Sequence, residues 1–370
     1  MKILVVTPRY AIAGVPLAQL RFAQALASEG HEVDFMIGRV DSHLTLSDLP
    51  GVNVIALDRP QVRHMAGPLY RYLRTARPDV VFSAEDHLNA LVLLLAIAAR
   101  SKAKISGSSR IPPFDTYSDF GTYSDQAFTK RWWLKQVMRL VMPRADALTC
   151  VSQDMVEQYR QVFHSAPHRC VYNIVDDAAS RTRMAEPLDE PWLQHREMPV
   201  LLAAGTLDFR KGFADLIEAM ALLRDRNRQV RLIILGEGPL QAELEGLATR
   251  RGLADRVRLP GFTYNPLKYF AHADAFVLPS YAEGMPNVLI EAMLCGCTPV
   301  AADCPTGPRE VLQGGRYGYL VPMRDPAALA DSIEKALDHP IAPEVLAEAV
   351  APFEEKAVIR RHFELLGLAA

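Results

Sequence analysis

Four consecutive apolar residues, Ala275, Phe276, Val277 and Leu278, run on without in-and-out alternation. A strand with one wet face alternates; a strand covered on both faces, as in a parallel sheet, does not. The residues after this run complete a strand, loop, helix, strand unit over 274–303, DAFVLPSYAEGMPNVLIEAMLCGCTPVAAD. Pro279 and Ser280 end the run, Glu283 and Gly284 turn the chain, and Pro286 suits a first helical position because its missing N–H is not needed there. A second strand is predicted from Thr298. The loop therefore feeds a helix N-terminus at the carboxyl edge of a sheet. Unpaired amides over 287–289, together with the helix dipole, favour an anion such as phosphate.

The same alternation recurs along the chain. Strands are predicted at 3–7, 33–37, 52–57, 80–83, 103–106, 147–151 and 170–174, with helices between most of them. After a break rich in charge and proline it resumes with strands at 200–204, 231–235 and 257–259. The pattern reads as α/β, with two doubly wound sheets. The domains expected are 1–180, a linker at 181–199, and 200–354, with one last helix over 343–366 whose end, about 355–370, returns to the first domain. A chain of 370 residues gives each domain room for its own core. A net charge of only -2 gives no general attraction to nucleic acid.

The five cysteines match neither a zinc framework nor a disulfide scaffold, so a reducing compartment is expected. The N-terminus MKILVV enters a strand directly, and the longest apolar stretch, 90–99, is too short to span a bilayer. A cytoplasmic protein is expected, with peripheral attachment to the inner face of the cell membrane as a further expectation.

Glu283 and Glu291 are the carboxylates of the 274–303 unit. Glycosidase pairs stand about 5 to 9.5 Å apart. Eight residues at about 1.5 Å of helical rise give roughly 12 Å, which disfavours a hydrolytic pair. The spacing suits two contacts on one elongated ligand, each carboxylate accepting hydroxyl hydrogen bonds on either side of a phosphate.

In its full setting, PSYAEGMPNVLIEAMLCGCTPVAAD, this pair resembles the E-x7-E signature of the family 4 retaining glycosyltransferases, strongest over 201–320. The resemblance implies the GT-B fold, two Rossmann-like domains facing across a cleft. It implies Glu283 beside the donor sugar as a catalytic residue, Glu291 on the ribose hydroxyls, and Met285, Pro286, Asn287, Val288 and Leu289 along the diphosphate. Lys211 matches the family's G-R-L-x-x-x-K-G lysine, which stabilises the leaving diphosphate; Thr206 stands where that pattern has arginine, and Arg210 is a donor-side candidate beside it. Gly14 falls where the family has a glycine-rich phosphate loop, and Gly261 in the segment that forms the base pocket. Thr306, Gly307 and Glu310 resemble a further loop near the diphosphate.

A histidine common in the first domain of the family is absent here, the region reading ISGSSR over 105–110. Glu85, His87 and Arg110 are acceptor-side candidates. The resemblance implies no metal and no cofactor, the nucleoside diphosphate sugar being a co-substrate. The segment 128–144, FTKRWWLKQVMRLVMPR, has five basic residues, no acidic one and two tryptophans, a pattern suited to an anionic membrane surface. Arg59, Arg63, Arg71, Arg74 and Arg77 extend it.

The function expected is transfer of a UDP- or GDP-linked sugar, with retention, to a hydroxyl of a glycan or lipid-linked acceptor in bacterial cell-surface polysaccharide assembly. The alternatives are a sugar-nucleotide epimerase or phosphorylase of the same fold, or a nucleotide-sugar-binding protein without catalysis.

Overall fold

The computed structural model describes residues 1–10, 14–40, 51–113, 123–124, 126–163 and 167–369. These divide into two compact units, 1–177 with 353–370, and 178–352.

Unit 1 is built on seven strands: β1 Lys2–Tyr10, β2 Glu32–Val40, β3 Val52–Ala56, β4 Val80–Ala84, β5 Lys104–Ser109, β6 Ala147–Cys150 and β7 His168–Cys170. They lie in the order β3-β2-β1-β4-β5-β6-β7, every neighbour parallel. The order reverses between β1 and β4. At such a switch point the connecting segments leave to opposite sides, and ligands bind beyond the carboxyl ends of the two strands. The C-terminal helix Glu355–Leu366 belongs to this unit: Val358, Ile359, Phe363 and Leu366 join the core of Ile3, Phe22 and Phe82.

Unit 2 repeats the plan with six strands: β8 Val200–Ala204, β9 Arg231–Leu235, β10 Val257–Gly261, β11 Ala275–Leu278, β12 Thr298–Ala302 and β13 Tyr319–Val321. Their order is β10-β9-β8-β11-β12-β13, all parallel, with the switch between β8 and β11. The unbroken apolar run Ala275–Leu278 is β11, and each of its four residues is buried.

Three expectations need correction. The stretch 181–199 is no free linker, because it lies inside unit 2: Trp192 and Leu193 are buried, the Arg258 guanidinium sits 4.0 Å from the Trp192 ring centroid, and Asn265 donates to the Arg183 carbonyl at 2.7 Å. Its charge and proline content decorate a packed surface. The single helix expected over 343–366 is two, Pro343–Val350 and Glu355–Leu366, because Pro352 falls in the turn Ala351–Phe353 and cannot supply a helical N–H. Pro286 lies one residue before the helix Asn287–Leu294 rather than in it, at φ -79 and ψ 83. A thirteenth strand, β13, had no counterpart in the sequence reading; Tyr319–Val321 is three residues long and carries little periodic signal.

Candidate functional site

In unit 2 the loops after the two switch-point strands are stitched together. Beyond β8 the chain passes Gly205 into the short turn Phe209–Lys211, whose second residue, Arg210, donates its amide to the Asp208 carboxylate. Beyond β11 it passes Ser280 to Glu283. The Tyr281 amide donates to the Arg210 carbonyl at 2.7 Å, and the Tyr281 hydroxyl to Asp215 at 2.8 Å. Gly212, at φ +64, lets the two backbones approach: a Cβ there would stand 2.1 Å from the Pro279 carbonyl oxygen.

This stitching brings Lys211 onto Glu283. The Lys211 Nζ donates to Glu283 Oε1 at 2.6 Å, with the two side chains 18% and 9% exposed. Both residues have roles in the family pattern, but their ion pair is not written in the sequence, for they stand far apart in the chain. Thr306 donates its hydroxyl to the Glu283 carbonyl. Gly307, at φ +92, packs the next loop on the same turn; a Cβ there would meet Pro286 Cδ at 2.5 Å. Burial, then the Glu283 charge, push the nearby Cys304 thiol up to about 12.

The expected amide row is narrower than the sequence implied. The Asn287 amide bonds to the Met285 carbonyl at 3.0 Å and the Leu289 amide to the Pro286 carbonyl at 3.0 Å, because the helix begins with tight turns. Two of the three amides over 287–289 are thus engaged within the loop. The Met285 and Leu289 side chains are buried, so these residues offer only their backbones; Val288 is half-buried. Glu291 follows on the same helix and is 5% exposed. Arg210 turns back to Asp208, with a 2.7 Å bond and its side chain 48% exposed.

Gly261 ends β10 at φ +92, and its carbonyl accepts from the Gly236 amide at 2.8 Å. Two exposed rings follow it, Phe262 and Tyr264, with centroids 5.0 Å apart. One cation went unnoticed in the sequence: Arg324, just beyond β13, lies with its guanidinium 4.9 Å from the Tyr281 ring centroid. Nothing in its local sequence marks it, since it reaches the site only through the strand order.

Unit 1 gathers a second group at its own switch point. Gly14 opens the helix Gly14–Ser28 after β1 at φ +47; residues 11–13 of its loop lie outside the described residues. Glu85 leaves β4 at φ +76, an uncommon conformation for a residue with a side chain. Its carboxylate lies 3.5 Å from His87 Nε2. Burial raises the Glu85 carboxyl above its ordinary range, against the opposing pull of His87, Arg9 and Arg110. Burial also pushes the Arg110 guanidinium down to about 10. Glu85 and His87 are therefore in contact, and Glu85 feels the charge of Arg110. Asp86, between Glu85 and His87, turns inward and accepts from Ser109 at 2.5 Å and from Tyr159, so it anchors the loop.

Two family models match the chain: Glycosyltransferase Family 4 over 13–179 and Glycosyl transferases group 1 over 186–351. The chain belongs to the family 4 glycosyltransferases. Among curated relatives it is 32% identical over 206 residues, 55% of this chain, to "N-acetylgalactosamine-N,N'-diacetylbacillosaminyl-diphospho-undecaprenol 4-alpha-N-acetylgalactosaminyltransferase" of Campylobacter jejuni. It is 29% identical over 230 residues, 60% of this chain, to the lipopolysaccharide core biosynthesis glycosyltransferase LpsE of Rhizobium meliloti. The matches span 54% and 64% of those relatives. Anabaena HepE, solved in complex with UDP, superposes with a TM-score of 0.77 at 21% identity over 99% of this chain and all of that one. That likeness establishes the fold of this family 4 chain as GT-B, two Rossmann-like units.

Proposed function

We propose that the protein is a retaining hexosyltransferase that moves a sugar from a nucleoside diphosphate, UDP or GDP, to a hydroxyl of a glycan or lipid-linked acceptor in bacterial cell-surface polysaccharide assembly. The observation that carries this reading is the Lys211–Glu283 pair at the β8–β11 switch point. It offers one cation for a diphosphate and one carboxylate for sugar hydroxyls at one place. The relatives' names supply the substrate class: one acts on a diphospho-undecaprenol-linked sugar, another in lipopolysaccharide core biosynthesis.

In this reading Lys211 exchanges Glu283 for the donor diphosphate. The C1–O bond breaks with its electron pair going to the phosphate oxygen, where the ammonium stabilises the gathering charge. The acceptor oxygen bonds to C1 on the face being vacated, and its proton passes to the departing phosphate. Glu283, released from Lys211, accepts from the sugar hydroxyls and orients the ring. Glu291 takes the ribose hydroxyls, Gly261 borders the base, and the backbone over 285–289 lines the phosphates. Glu85, His87 and Arg110 in unit 1 take the acceptor. The work is done in the cytoplasm, at the inner face of the membrane when the acceptor is lipid-linked.

Thermal unfolding against a panel of sugar nucleotides tests the donor class, since a ligand bound only by the folded state raises the transition. The donor that protects is then incubated with candidate acceptors, and the anomeric configuration of the product is read by NMR. Protection by none of the panel, or a product of inverted configuration, overturns the reading. Donor turnover without an acceptor identifies an epimerase, dependence on inorganic phosphate a phosphorylase, and an intact donor a binding protein.

A further inference from the structure

The helices on one side of the unit 1 sheet leave an apolar surface uncovered. The helix Asp86–Ala99 is apolar around its whole circumference from Ala90 onward. Such a helix is ordinarily buried on all sides. Here Leu88, Val92, Leu93 and Ala96 pack inward, while Leu94 and Ile97 are 47% and 48% exposed. It is packed between two others, Ala66–Thr75 and Lys130–Val141. The second exposes Trp133 and Leu140, the latter to 77%, and Phe128 stands out just before it.

The charges around this surface have one sign. Across the three helices the only acidic residue is Asp86, which is buried. Arg71 and Arg74 on one flank, Arg100 at the end of the middle helix, and Lys130 and Arg139 on the other flank are exposed. Two cations that the sequence assigned to this face do not belong to it. Lys135 is buried, and Arg144 donates to the Ser101 and Ala103 carbonyls at 2.8 and 2.9 Å. Among the described residues no helix is long and apolar enough to cross a membrane.

We propose that this three-helix face seats unit 1 on an anionic phospholipid surface, with Leu94, Ile97, Trp133 and Leu140 in the interface and the flanking arginines and lysine on the headgroups. An apolar centre ringed by cations matches a bilayer whose charge lies in a plane above its apolar part. The inference rests on the lipid-linked acceptor reading for its purpose, though not for its measurement.

The test is flotation of the whole protein with vesicles of phosphatidylcholine alone and of phosphatidylcholine mixed with phosphatidylglycerol, without donor. Of three tryptophans, Trp132 and Trp133 are at this face and Trp192 is buried in unit 2, so tryptophan emission reports the contact directly. Expected are binding to the mixed vesicles that weakens with salt, a blue shift, and binding about fivefold weaker for each cation lost in Lys130→Gln and Arg139→Gln. Leu94→Ser with Leu140→Ser abolishes binding without lowering the thermal transition, because both side chains are exposed. No binding to mixed vesicles, or equal binding by these variants, overturns the proposal. So does self-association abolished by Leu140→Ser in sedimentation equilibrium, which would make a second copy the occupant. Protection by sugar nucleotides is measured separately, so failure of the donor reading leaves the vesicle result intact, and the reverse.

Discussion

If Lys211 leaves Glu283 for the donor diphosphate, neutralising Glu283 should tighten the binding of a nucleoside diphosphate that carries no sugar. Two unit charges 2.6 Å apart attract by about 6 kcal/mol at an effective dielectric of ~20. Most of that is offset by desolvation of side chains 9% and 18% exposed. A charge-assisted hydrogen bond retains about 1.5–3 kcal/mol net, and a neutral one about 1 kcal/mol. Glu283→Gln keeps the shape and one acceptor, so the cost of freeing the ammonium falls by roughly 0.5–2 kcal/mol. UDP or GDP should then bind about two- to thirtyfold more tightly. Calorimetric titration of both nucleotides into the native and variant proteins measures this. Turnover should fall in the same variant, because the sugar loses its carboxylate. The variant should also lose about 1–3 kcal/mol of folding stability, since a half-buried ammonium has lost its counter-charge. A folded variant whose nucleotide affinity is unchanged or weaker would refute the exchange: Lys211 would then keep its partner, and another cation would meet the phosphates.

Lys211→Ala should depress turnover more than donor affinity; equal losses in kcat/KM and binding would mean that it holds ground and transition states alike. Glu291→Ala should weaken nucleotide binding by about 1.5–3 kcal/mol, read by the same titration, and unchanged affinity would remove it from the ribose. Gly212→Ala should destabilise unit 2 by more than ~1 kcal/mol in denaturant unfolding, because its Cβ would stand 2.1 Å from the Pro279 oxygen. Acid should act first on unit 1. Burial pushes His168 down to about 4 and His362 to about 3, from 6.5. Below pH 6.5 the unfolded chain binds protons that these folded groups refuse. Their stability contribution is whole above that pH and is lost as it falls toward the folded values. His362→Phe, among Phe22 and Phe82, should flatten the slope by about one proton in urea titrations at successive pH values.

The two sheets were legible chiefly through their inner strands, several of which are buried on both faces and leave unbroken apolar runs. In β8, β11 and β12 every residue is covered, and each was placed with its observed bounds or close to them. Less legible were elements whose identity depends on a neighbour. The 181–199 stretch has the composition of a linker, yet the Trp192 ring meets the guanidiniums of Arg231 and Arg258, at 5.0 and 4.0 Å from its centroid. The basic segment 128–144 reads as one cationic face, but Lys135 turns inward and Arg144 is taken up by backbone carbonyls. Charge patterns state which side chains are available, and packing decides which of them meet solvent.

The candidate site divides along the same line. Glu283 and Glu291 are tied by a single loop and helix, so their spacing is written locally and the sequence could carry it. The Lys211–Glu283 pair is not local: it exists because β8 and β11 are neighbours while β9 and β10 lie on the far side of β8. Arg324 arrives beside Tyr281 by the same logic, from beyond β13 at the opposite edge of the sheet. The reversal of strand order that opens a ligand site at the carboxyl edge is thus also what assembles its charges from distant segments. A linear pattern can name the members of such a site, but their pairing becomes visible only once the strands are ordered. In this chain the pairing bears directly on chemistry, because a lysine already neutralised by a carboxylate must be released before it can stabilise a leaving group.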